Sequence, residues 1–172
     1  MLAVPFEFWD RDIHEHCSDE VTHTIMIQNA GRDLRRELDD DDYKKLRDVS
    51  EFFFHETGKY LEKLSRRVFR QTVKMNRENG DFSIASYAMM AFLIERRILK
   101  IYPAIAKFGP TESMRDLAFT IFKDEKKHLN FVGERLPAGL SLADINKQEL
   151  IDLEEDLAIE WQEVLFSYYE SV

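Results

Sequence analysis

One cysteine, four prolines and six glycines in 172 residues is a short supply of cross-links and chain-breakers. The lone Cys17 excludes an internal disulfide and fits a reducing compartment, so a cytoplasmic location is expected. So few prolines and glycines leave room for long helices joined by short turns. No apolar run approaches the roughly 18 residues needed to cross a bilayer, so no membrane partner is expected. The start, Met1 to Asp12, lacks a basic stretch followed by an apolar one, and no secretory signal is read there. Positive charge is also scarce. With 24 Lys and Arg against 33 Asp and Glu, the net charge of -9 would repel phosphates and argues against nucleic acid.

What is present is helical periodicity. Apolar residues recur at three and four, and no period-2 alternation competes. The spacing predicts five helices. The first runs from about Asp10 or Asp12 to Leu38, and the second from about Tyr43 to Met75. The third is capped by Ser83 and ends near Phe108. The fourth is capped by Thr111 and ends near Glu134. The fifth runs from Ser141 or Asn146 to about Tyr169. The breaks between them are the acidic turn Asp39 to Asp42, Asn79-Gly80-Asp81, Gly109-Pro110 and the linker Pro137-Ala138-Gly139. The short turns at 39–42 and 109–110 predict two antiparallel hairpins. The fold expected is all-α: one domain over 1–172, a four-helix bundle with a short N-terminal extension. The C-terminal helix within 141–172 would cover the bundle or a dimer partner.

One pattern stands out. Asp-Glu-x-x-His occurs twice, at Asp19-Glu20-Val21-Thr22-His23 and at Asp124-Glu125-Lys126-Lys127-His128. At this composition, chance would supply about 0.05 copies with the leading Asp. Glu and His three apart share one helical face and can hold one metal ion together. Glu125 and His128 fall within an apolar stripe made by Met114, Leu117, Ala118, Ile121, Phe122 and Val132. Glu95 interrupts the stripe of the third helix, Glu56 that of the second, and Glu20 with His23 that of the first. Buried carboxylates repel one another unless cations lie between them. Two divalent ions would neutralise four Glu, with one neutral His for each ion. The proposed ligands are therefore Glu20, His23, Glu56, Glu95, Glu125 and His128, with Asp19 and Asp124 behind them. His14 and His16 are expected at the surface. So is His55, paired with Glu51 and only a weak alternative ligand. Cys17 is expected as a small core residue, Tyr60 as a packed tyrosine, and Phe52-Phe53-Phe54 as packing.

Glu95, twenty-eight intervening residues and then Asp124-Glu125-x-x-His128 resembles the second half-site of the ferritin-like di-iron carboxylate superfamily. The resemblance is to its oxygen-activating branch, with ribonucleotide reductase small subunits and aminoarene N-oxygenases. It covers about 35 residues. It implies Glu95 as a terminal or bridging ligand, Glu125 as a bridge, His128 as a terminal ligand and Asp124 as the group orienting His128. The first half departs from that pattern. Glu20-x-x-His23 precedes the lone Glu56, and Lys59 stands where a His would follow Glu56. A mirrored ligand order, a site between subunits or a different first half would each account for it. A second resemblance is to the haem-oxygenase-like dimetal oxidases, which use carboxylates and three His; His55 would then join His23 and His128.

The function these features imply is an oxidoreductase with two iron ions, or manganese, and dioxygen as co-substrate. It would oxidise a small organic molecule by hydroxylation, N-oxygenation or desaturation. The chain carries no flavin or nicotinamide motif, so an external electron donor is expected, and a homodimer is expected. Two other readings compete: a ferroxidase or iron-handling protein, and an acidic helical adaptor whose inner acids pair with Arg66, Arg67, Arg96 or Arg97.

Overall fold

The computed structural model describes residues 10–72, 81–109 and 111–171, and they form an all-α bundle. The segment 1–9, the Asn79-Gly80 break, the expected end of the second helix near Met75 and Pro110 lie outside the described residues. The helices are α1 (Arg11–Glu37), α2 (Asp40–Thr72), α3 (Asp81–Phe108), α4 (Glu112–Ala143) and α5 (Lys147–Tyr169). None is long and apolar enough to cross a membrane among the described residues.

The helix starts follow from side-chain caps. Asp10 accepts from the Ile13 amide, Asp39 from Asp42 and Thr111 from Met114. Asn146 and Glu149 form a reciprocal capping box that opens α5. Asp39 being the cap, Asp40 to Asp42 are already helical, and their charges complement the positive end of the helix. Likewise α3 starts at Asp81, so Ser83 lies inside it and is not its cap.

The Pro137-Ala138-Gly139 linker is not there; α4 runs through it to Ala143. Proline in a helix loses one hydrogen bond and crowds the carbonyl four residues back. Packing outweighs that cost here. Leu136 is buried, and Gly139 brings α4 so close to α3 that a Cβ would lie 3.3 Å from the Ala85 Cα. The helix instead ends at Asp144, in the left-handed region at φ 51°.

The α3–α4 hairpin is the most extensively packed pair, as the short turn at 109–110 implied. The other expected hairpin does not close in that way. α1 lies along α4, while α2 lies along α5 and α3. The reason is the character of each face. α1 turns polar groups inward and meets α4 through ion pairs such as Arg135 with Asp10 and Asp12. α2 turns Tyr60, Leu64 and Val68 toward Leu150, Leu157 and Ala158 of α5. So α5 completes the apolar core. Phe53, expected as packing, is about half exposed.

Candidate metal centre

On α1, residues 13, 16, 20 and 23 follow helical spacing along one face. Ile13, His16 and His23 are buried there, and Glu20 is partly so. α3 brings Glu95 to this face, and α4 brings Glu125 and His128. All three are buried. The donor atoms of His16, Glu20, Glu95 and His128 lie within 4.8 Å of one another. Those of Glu20, His23 and Glu125 do the same, so Glu20 belongs to both groups.

Five of the six proposed ligands therefore meet: Glu20, His23, Glu95, Glu125 and His128. Glu56 does not join them. Because α2 does not run alongside α1, Glu56 faces the α5 side and accepts from Lys59 at 2.7 Å. His55 is exposed and is not a ligand either. His14 is exposed as expected, but His16 is not: its Nε2 bonds Glu95 at 2.9 Å and its Nδ1 bonds the Tyr87 hydroxyl. The sequence signal for His16 was its place four residues before Glu20 and seven before His23.

The two Asp-Glu-x-x-His copies face each other with approximate two-fold symmetry. His128 Nδ1 lies 3.2 Å from Glu20 Oε1, and His23 Nδ1 lies 3.2 Å from Glu125 Oε1. His128 Nε2 bonds Asp19 at 3.1 Å, and His23 Nε2 lies 3.6 Å from Asp124. Each Asp thus addresses the outer nitrogen of the other copy's His, turning the inner Nδ1 atoms toward the glutamates. Carboxylates behind a ligating His fix its tautomer in this way.

The inner atoms are close but poorly satisfied. Glu20 Oε1, His23 Nδ1 and Glu95 Oε2 are buried without a hydrogen-bond partner. Glu20 Oε1 sits 3.2, 3.6 and 3.7 Å from nitrogens of His128, His23 and His16. Orphaned buried polar atoms are costly and uncommon. Ligand atoms about 2.1 Å from one ion stand roughly 3.0 Å apart in an octahedron and 3.4 Å in a tetrahedron. The separation of 3.2 Å falls in that range and those of 3.6 and 3.7 Å lie just above it, and mixed carboxylate and imidazole donors suit iron, manganese or zinc. The residues fit the group. The arginines needed to neutralise these acids without metal are engaged elsewhere: Arg66 with Glu62, Arg67 with the Leu153 carbonyl, and Arg96 and Arg97 with Glu154.

Without metal, protons hold the cluster together. Burial, together with the Glu125 carboxylate beside it, raises Glu95 well above the usual carboxylate range, while its partner Glu125 stays low. Burial alone would depress His128, but Glu125, Glu20 and Asp19 overcome it and push it up to about 11. Burial lowers His16, with the positive charge of His128 adding to the effect. The upward shifts of Glu95 and His128 favour the metal-free fold at low pH. Their contribution is complete below the ordinary values and fades as pH rises, toward about 11 for His128. Metal binding needs the deprotonated ligands and so runs the other way. Uptake of two ions near neutral pH is expected to release about two protons, one from Glu95–Glu125 and one from His128. Calorimetry in buffers of different ionisation heat measures this, and release near zero would contradict it.

Compared with protein-family models, curated proteins and solved structures, the chain matches none.

Proposed function

We propose that this protein is a dimetal oxidoreductase that uses dioxygen to oxidise a small organic molecule. The observation that carries the reading is the convergence of three Glu and three His, with three of their buried polar atoms lacking partners. Two redox-active ions held there, iron or manganese, would supply the electron-transfer chemistry that protein side chains lack. Glu20 would be shared by both ions, and Glu95, Glu125 and the imidazoles of His16, His23 and His128 would complete the ligand set. Asp19 accepts from the outer nitrogen of His128, and Asp124, 3.6 Å from the outer nitrogen of His23, orients that ring by charge. Phe131 against His16 and the partly buried Tyr87 limit water on the α3 side. Three histidines is the number expected of the haem-oxygenase-like alternative, with His16 in the place given to His55.

The test is oxygen uptake by the ferrous-loaded protein, with a chemical reductant and a panel of small aromatic and aliphatic compounds. Uptake coupled to an oxygenated or desaturated product is expected. Uptake that only converts ferrous to ferric ions supports iron handling instead, and no uptake by loaded protein removes the oxidase reading.

A further inference from the structure

We infer that the two metal positions are unequal, and that the one at Glu20, His23 and Glu125 is exchangeable and takes a small anion as its additional ligand. This rests on the dimetal reading above. The first position has four donors, His16, Glu20, Glu95 and His128, and the second has three. The near two-fold symmetry of α1 and α4 locates the deficit. Glu95 stands beside the α4 copy, and among the described residues no equivalent carboxylate stands beside the α1 copy. The helix that could supply a match, α2, packs on α5 and keeps Glu56 with Lys59.

Solvent reaches the centre along Glu20, which both positions share and whose side chain is 43% exposed. The remaining donors of each position are buried, so the difference between the two lies in their number of protein ligands. With one ligand fewer, the second position holds its ion more weakly and leaves room for a donor from solution. His23 Nδ1, a donor of this position alone, is buried without a hydrogen-bond partner. Charge points to the ligand class. Two divalent ions against the carboxylates of Glu20, Glu95 and Glu125, with neutral imidazoles, leave one positive charge. Lys127 offsets Asp124, and Asp19 is more than half exposed. A single monoanionic donor would make the centre neutral, standing in for the fourth carboxylate that Glu56 does not provide.

The experiment is a cobalt(II) titration of the metal-free full-length protein, followed by visible absorption and calorimetry, with azide added at each stage. The first equivalent is expected to bind at least about tenfold more tightly than the second, given one more protein ligand. Azide should change the spectrum only after the second equivalent. His23→Gln should remove the second phase and keep the first, and circular dichroism checks that it folds. Two equal equivalents, a single equivalent, or an azide response at the first would each overturn this inference and leave metal binding intact. No cobalt bound by folded protein would overturn the dimetal reading itself.

Discussion

Glu20→Ala is expected to reduce bound metal from about two ions per chain to none under conditions that saturate the parent protein. Glu20 is the one residue common to both donor groups, and its Oε1 atom is surrounded by nitrogens of three histidines. Altering a group behind a metal ligand already costs about 10–100-fold in affinity, and removing a ligand shared by two ions should exceed about 100-fold. Glu56→Ala is the matched control. The sequence put it in the ligand set, but the structure pairs it with Lys59. Metal content should be unchanged there. Elemental analysis of the two variants beside the parent decides the matter, and retention of both ions by Glu20→Ala would break the assignment.

Arg97→Ala is expected to give the largest loss of stability with no loss of metal. Glu154 is fully buried on α5, and Arg97 meets it with two bonds of 2.7 and 2.8 Å. Tyr60 donates to the same carboxylate at 2.5 Å, and Arg96 reaches it at 3.3 Å. Removing Arg97 leaves a buried carboxylate without its main cation, which typically costs about 3–5 kcal/mol. That is a large share of the roughly 5–15 kcal/mol that holds a domain folded. On α3, Arg97 is two residues from Glu95, about 200° round the helix, so it faces away from the metal centre. Urea denaturation should show the loss equally with and without metal. Replacing Arg97 and Glu154 together by Met and Leu should recover much of it, because no unpaired charge then remains. A single Arg97→Ala variant as stable as the parent would contradict this account.

The helices were legible because caps and apolar spacing are local signals. Asp10, Thr111 and Asn146 each act within one turn of sequence. The paired Asp-Glu-x-x-His motif was legible for the same reason, since its chemistry is set by a three-residue offset. The failures at Glu56 and Pro137 were non-local. Glu56 was placed by assuming that α1 and α2 pack along each other, and a short turn does not guarantee that. Pro137 reads as a stop until the close approach of Gly139 to Ala85 is known. His16 could have been found locally. It shares the face of Ile13, Glu20 and His23, and the same rule that flagged Glu95 as an acid in an apolar stripe applies to it. That rule also applies to Glu154, which interrupts Leu150, Leu157 and Ala158 and is buried with an arginine instead of a metal. An inward-facing charged residue thus marks a buried polar centre. Whether cation or metal neutralises it depends on partners from other helices.

The most direct measurement is anomalous diffraction at the iron edge from crystals of the iron-loaded protein. Two peaks are predicted between α1, α3 and α4. One should lie about 2.0–2.3 Å from donors of His16, Glu95 and His128, the other at the same range from His23, with Glu20 touching both. Iron absent from this position in well-ordered crystals, with His16 still bonded to Glu95, would contradict the dimetal centre.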